Sequence, residues 1–246
     1  MAALHDDFVE RVERSIAGRF PSGKHLLTAC PGIASELALE ACRSVGCEPR
    51  RAFSAAAAIH AAFIAIALID ELLDEDSRGD LSVGQTANLA SVALALASDL
   101  LSEIGVTART PVAERIARML IDTAWGQERD VTEAVDDGDT WSVAAAKTAP
   151  LFEAAVFCGA ISGGAPEELA TGIEPFGAFV GRIVQIQDDL TDVLEPGNDA
   201  DWRRPGSNLA LRYALHVDHA GRDRVRLLLT TAGAEGESRD EIRRIL

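Results

Sequence analysis

RAFSAAAAIHAAFIAIALIDELLDE, residues 51–75, decides the fold. Up to Ile69 the stretch is almost wholly Ala, Ile, Leu and Phe, broken by Ser54 and His60, and it has neither a polar stripe at helical spacing nor the alternation of a half-buried strand. Such a segment is expected to form one long helix, apolar nearly all round and therefore central. Its C-terminal end turns abruptly acidic, with Asp70, Glu71 and Asp74.

Working outward, the spacing predicts more helices and no strands. Leu4, Phe8, Val9, Val12 and Ile16 recur at helical intervals until Pro21-Ser22-Gly23, and a second helix runs to about Val45 before a break at 46–49. Residues 82–104, 111–135 and 140–161 read as three further helices, parted by 105–111 and by Asp136-Asp137-Gly138-Asp139. Pro166 starts another, reaching Leu194 with a kink expected at Gly172 and Pro175, and a polar loop rich in Pro and Gly leads to shorter terminal helices. Aromatic residues make up only 5%, β-branched runs are missing, and no low-complexity linker divides residues 1–246, so one all-α domain is expected.

A net charge of −16, from 39 acidic and 23 basic residues, would repel nucleic acid and anionic lipid, and neither is an expected partner. It would also repel a diphosphate, which in this chain needs bound cations and local Lys or Arg. Cys30, Cys42, Cys47 and Cys158 lack zinc-ligand spacing and read as small core residues in a reducing compartment. The N-terminal MAALHDDFVERVERS has no signal-peptide pattern, and the run 52–69 is interrupted by His60, so no membrane span and a cytoplasmic location are expected. The five histidines, His5, His25, His60, His216 and His219, fit no protease arrangement, and no Gly-rich loop suits a nucleotide.

The acidic end of the central segment has a counterpart in IVQIQDDLTD, residues 183–192. At 100° per residue, positions i and i+4 lie about 40° apart, so Asp70 shares a face with Asp74, and Asp188 with Asp192, with Glu71 and Asp189 flanking them. Carboxylates crowded at a helix C-terminus repel one another and meet an unfavourable macrodipole. Hard divalent cations relieve both, and Mg²⁺, with Mn²⁺ as a substitute, suits open carboxylate sets because it takes its remaining ligands from water and phosphate.

Both clusters resemble the paired aspartate-rich motifs of the trans-isoprenyl diphosphate synthases and their class I terpenoid-synthase relatives. Further landmarks stand in family order: Gly126-Gln127 with Asp130, Lys147-Thr148 in AAAKTAPLFEAAVFCGA, and Gln185 before Asp188-Asp189. The resemblance covers residues 20–216 and implies a class I helical bundle with a central cavity, usually a homodimer, in which Mg²⁺ between the motifs holds the diphosphate of an allylic prenyl substrate. It assigns catalysis to Asp70, Asp74, Asp188 and Lys147, metal binding to those aspartates with Glu71, Asp189 and Asp192, and diphosphate contacts to Lys147, Arg78, Gln127, Gln185, Arg203 and Arg204.

Chain-elongating members also bind isopentenyl diphosphate in a basic site, which is depleted here. The family's N-terminal Gly-Lys-Arg-x-Arg appears as Gly23-Lys24-His25-Leu26-Leu27, Phe63 replaces a histidine, Glu71 replaces an aspartate, and Arg78 stands where two arginines are common. His60 reads instead as a satisfied core histidine. Losing three cationic contacts of about 1.5–3 kcal/mol each would weaken a second diphosphate strongly. The leading expectation is therefore an atypical terpene synthase that ionises one prenyl diphosphate and cyclises, deprotonates or hydrates the cation. Alternatives are an elongating prenyltransferase, transfer to a non-isoprenoid acceptor, and an inactive partner subunit. Ala62, Phe63, Ala65 and Ile66, just before Asp70, are expected to line a pocket for a chain of about fifteen to twenty carbons, each buried CH₂ contributing roughly 0.8 kcal/mol.

Overall fold

The computed structural model describes residues 32–73, 81–132, 140–195, 208–231 and 236–246, together with Val12 and Trp202. Regular structure among them is helical throughout: α1 (Ile33–Ser44), α2 (Phe53–Leu73), α3 (Val83–Leu101), α4 (Val106–Thr132), α5 (Thr140–Gly163), α6 (Glu167–Ile173), α7 (Pro175–Leu194), α8 (Leu209–His216), α9 (Arg222–Thr231) and α10 (Glu237–Ile245), with a 3₁₀ turn at Pro49–Ala52 before α2. Of the expected first helix only Val12, helical and fully buried, is among the described residues.

The apolar stretch that opens the sequence reading becomes α2, and it is central as its composition requires. Ala55 through Ala62, Ile64, Ala65 and Leu68 are buried, and α1, α3, α4 and α5 all touch it. By length and composition the segments Pro49–Leu73 and Trp141–Gly163 could each cross a bilayer, but 67% and 72% of their apolar windows are buried inside the protein. They are core helices. His60, 1% exposed, lies within the first of them rather than interrupting it.

α5 is the second axis of the bundle, and backbone contact sets its neighbours. A Cβ built on Gly126 of α4 would stand 2.5 Å from the Ala146 carbonyl oxygen and 2.6 Å from the Lys147 nitrogen. Pro150 lies four residues beyond Ala146 inside α5 and cannot offer that carbonyl the usual intrahelical N–H, so the glycine presses against a carbonyl the helix does not itself satisfy. Gly177 of α7 meets the backbone of Phe152 and Glu153 in the same way. Glycine at both crossings lets α4 approach the α5 backbone at Ala146–Lys147 and α7 approach it at Phe152–Glu153.

Three boundaries differ from the sequence reading, each for a local reason. α4 begins at Val106 and runs through Pro111, because the Gly105 carbonyl accepts the amides of Ala108 and Arg109 while the Arg109 guanidinium bonds the Ile104 carbonyl. The expected kink in 166–194 is a break at Glu174, with Pro175 taking the first-turn position of α7, where its missing N–H costs nothing. α3 is closed N-terminally by a capping box, Ser82 and Gln85 bonding each other's backbone amides.

Charge ties α4 and α5 to the start of α7. Arg115 of α4, only 12% exposed, pairs with Glu174 and lies 3.5 Å from Glu153 of α5. Burial holds the Glu153 carboxyl above its ordinary range, with Arg115 pulling the other way. At the other end of α7, Arg243 of α10 donates to the carbonyls of Val193 at 2.8 Å and Glu195 at 3.3 Å, so a cation satisfies orphan acceptors where the second acidic motif ends. Arg243 also lies 5.6 Å from the centre of the Trp202 ring, within a small second core of Val193, Trp202, Leu211, Val225 and Ile242.

Cys42 and Cys158 are buried and free, as expected of core cysteines. Burial pushes the Cys158 thiol up to about 12, and the thiolate is the reactive form. A thiol reagent at mildly alkaline pH should leave Cys158 unmodified in the folded protein and label it fully after unfolding, read by peptide mass mapping; equal labelling in both states would contradict the packing.

Candidate active site

α2, α4, α5 and α7 each deliver polar side chains to one end of the bundle. At the end of α2, Asp70 Oδ1 accepts from the Gln127 amide of α4 and lies 3.3 Å from both the Gln127 nitrogen and the Lys147 ammonium of α5. The ammonium is 2.9 Å from Asp130 Oδ2. Gln127 and Asp130 are i, i+3 neighbours on α4, so one helix face presents both to the same lysine. Of these two carboxylates Asp130 is the more buried, its side chain 8% exposed against 37% for Asp70.

The next residue on α5 starts a second network. The Thr148 hydroxyl donates to Gln185 Oε1 of α7, and the Gln185 amide donates to Asp189 Oδ1 at 2.8 Å. Asp189 Oδ2 accepts the Leu209 amide at 2.8 Å, and Asn208, which caps α8, donates to the Asp189 carbonyl at 2.9 Å. Because Lys147 and Thr148 are consecutive, α5 is the common wall between the acidic end of α2 and the acidic turn of α7.

The expected site residues therefore divide. Asp70, Gln127 and Lys147 stand in one hydrogen-bonded group, and Gln185 and Asp189 in the adjoining one. Asp188 is exposed, while Glu71 and Asp192 are half-buried on the flanks. Asp74, Arg78, Arg203 and Arg204 lie outside the described residues. Asp189, to which the resemblance assigns a ligand role, is 5% exposed; its carboxylate oxygens accept from the Gln185 amide and from the Leu209 backbone, tying α8 to α7. Asp130, Thr148 and Asn208 are functional neighbours the sequence reading left without roles. The signals for two of them were spacing: Asp130 follows Gln127 by three residues, and Thr148 adjoins Lys147.

The expected pocket residues differ in burial. Ala62 and Ala65 have no accessible surface, being packed into the core, whereas Phe63 and Ile66 are partly exposed on the side of α2 that leads to Asp70. The apolar wall below the site is thus built from the larger residues. A separate groove of about 360 Å³ runs along α7 beside Ile183, Ile186, Leu190 and Leu194. Leu190 is about 200° round that helix from Asp188, so the groove faces away from the acidic turn.

The donor set suits a hard divalent cation. Its candidate ligands are carboxylate oxygens, and the Lys147 ammonium at 3.3 Å from Asp70 shows a cation already stabilised at that position. Among the described residues no three His, Cys, Asp or Glu side chains form a group that could by itself hold a metal ion. An open half-set completed by water and phosphate oxygens is what Mg²⁺ favours.

Two acidic helix ends meeting across one lysine-bearing wall define an enzyme bundle of the class I kind. Residues 32–207 match the polyprenyl synthetase family, and the chain belongs to that family, whose members use prenyl diphosphates. It is 26% identical over 227 residues to octaprenyl diphosphate synthase of Escherichia coli (strain K12), covering 85% of this chain and 69% of that protein. It is 30% identical over 215 residues to a short chain isoprenyl diphosphate synthase of Methanothermobacter thermautotrophicus, covering 75% and 63%. The crystal structure of geranylgeranyl pyrophosphate synthase from Corynebacterium glutamicum, complexed with calcium and isoprenyl diphosphate, matches 99% of this chain and 81% of that one with a TM-score of 0.77. At 23% identity that likeness speaks to the fold.

Proposed function

We propose that the protein is a chain-elongating trans-prenyltransferase, condensing an allylic prenyl diphosphate with isopentenyl diphosphate. The observation that carries this is the convergence of Asp70, Gln127, Asp130 and Lys147 from three helices, beside the Thr148–Gln185 pair, in a chain whose relatives are named as prenyl diphosphate synthases. Family membership thus favours elongation over the single-substrate terpene synthase that the depleted basic positions led us to expect.

In this reading Lys147 contributes a fixed positive charge to the leaving diphosphate without transferring a proton. Asp70 and Asp188, with Asp74 and Asp192, would hold Mg²⁺, which when bound neutralises charge on the departing oxygens. The allylic C–O bond breaks, its electrons leave with the diphosphate, the isopentenyl double bond attacks the cation, and a proton is lost to restore the alkene. Phe63 and Ile66 form apolar wall for the chain, and Asp189 keeps Gln185 in register with Thr148. The same reading makes the protein a cytosolic homodimer.

One observation favours the second reading, ionisation without elongation. Phe63 is only partly buried and stands where the family has a histidine, so that position supplies an aromatic ring, which can stabilise a cation, and no donor to a second diphosphate. Incubation with Mg²⁺ and prenyl diphosphates of several lengths, with and without isopentenyl diphosphate, separates the two. Longer linear diphosphates formed only when isopentenyl diphosphate is added are the expected outcome. A diphosphate-free hydrocarbon or alcohol formed regardless would overturn elongation, and no turnover under any condition would make the chain a partner subunit.

A further inference from the structure

Lys147 has carboxylate partners in two different environments. Asp130 holds the ammonium at 2.9 Å from a nearly buried position on α4, while Asp70 touches it at 3.3 Å from the more open rim of α2. Gln127 steadies Asp70 through the same oxygen, and Gly126, pressed on the Ala146 carbonyl, fixes the height of α4 against the lysine's own helix.

We infer that Asp130 is a positioning residue that retains the Lys147 ammonium in the site, and that the ammonium occupies Asp70 as a stand-in cation, so that metal and lysine compete for Asp70 until a diphosphate arrives. This rests on the proposed metal–diphosphate role of the site. Two cations crowded on one carboxylate oppose each other, so a metal entering alone must displace the ammonium from Asp70. A diphosphate reverses the sign of that coupling, because its oxygens give metal and ammonium a shared anion. Asp130, facing the lysine from the buried side, then keeps the displaced ammonium close enough to meet the diphosphate. Asp130 also sets how strongly the ammonium leans on Asp70: without its charge, Asp70 becomes the stronger attractor.

The test is Mn²⁺ binding to the full chain, read from the electron paramagnetic resonance signal of free Mn²⁺, with and without inorganic diphosphate. Lys147→Met should tighten binding of Mn²⁺ alone and shrink the enhancement produced by diphosphate, while Asp130→Asn should weaken binding of Mn²⁺ alone, each by about tenfold, within the usual range of coupling between sites. In the Lys147→Met background, Asp130→Asn should change nothing further, because its effect passes through the lysine. If Asp130→Asn weakens Mn²⁺ equally in both backgrounds, Asp130 is a metal ligand and the inference fails. Unchanged Mn²⁺ affinity in Lys147→Met, with diphosphate enhancement intact, also overturns it while leaving the proposed function standing. Failure of the wild-type protein to bind Mn²⁺ even with diphosphate would instead remove the underlying reading. Should Asp130→Asn not fold, Asp130→Glu keeps the charge and moves the carboxylate, and it should alter Mn²⁺ affinity only while Lys147 is present.

Discussion

Lys147→Ala is expected to lower turnover by about 10²–10³-fold, the loss seen when one preorganised electrostatic contact to a developing anion is removed. The side chain is in an alanine-rich stretch of α5, among Ala144, Ala145, Ala146 and Ala149, and is only 19% exposed, so its charge is held where water screens it poorly. The substitution also leaves the nearly buried Asp130 carboxylate without its 2.9 Å partner. A charged group stranded in this way should cost about 1–3 kcal/mol of stability or more. Adding Asp130→Asn should return most of that stability without returning turnover, which separates the lysine's structural pairing from its part in the reaction. Steady-state kinetics and thermal melts of the single and double variants provide the check. A Lys147→Ala enzyme with wild-type turnover would remove the lysine from the site.

How much of this could be read from the sequence depended on whether the deciding contact was local. α2 was legible because an apolar, alanine-rich run with no polar stripe has one stable placement, and its acidic end at Asp70 was legible as the point where that run stops. The expected pocket residues divide by burial as helical arithmetic would divide them. Five positions at 100° put Ala65 about 140° round from Asp70, whereas Ile66 is about 40° away and Phe63, seven residues back, about 20°. The structure exposes the second pair and buries Ala65. Asp189 follows Gln185 by four residues, and an amide–carboxylate pair at that spacing hydrogen-bonds along the helix. Its tie to Leu209, twenty residues on, had no local signature.

The functional expectation shifted for a related reason. Counting basic residues at family positions weighs only the contacts those positions would make, and Arg78, Arg203 and Arg204 are read from the sequence alone. The cation that the described residues do place, Lys147, is held by a network in which Asp130 and Gln127 matter as much as the lysine. A ligand is retained by the placement of its charges, and placement comes from helix crossings that single-residue comparison does not register.

Gly126 is where that placement is most exposed to change. Gly126→Ala adds one carbon 2.5 Å from the carbonyl carbon and oxygen of Ala146 and 2.6 Å from the Lys147 nitrogen, and all three neighbours are backbone. No rotamer can relieve the overlap, so α4 and α5 must move apart, at a cost of about 1–3 kcal/mol by the usual measure of overpacking. In a chain of this size each kcal/mol lowers the melting temperature by about 2–4 °C. Gln127 and Asp130 ride on α4 and Lys147 on α5, so the same movement should open the contacts at 3.3 and 2.9 Å and reduce turnover beyond what the lost stability explains. Gly172→Ala is the matched control: it lies in α6 with nothing within 4 Å of the new carbon, and a helical Gly→Ala change should be neutral or stabilising by up to about 1 kcal/mol. Melting temperature and initial rate should therefore both fall for Gly126→Ala, whereas Gly172→Ala should keep the wild-type rate and melt at or above wild type. A Gly126→Ala protein that melts and turns over like wild type would mean that α4 and α5 do not meet through this glycine.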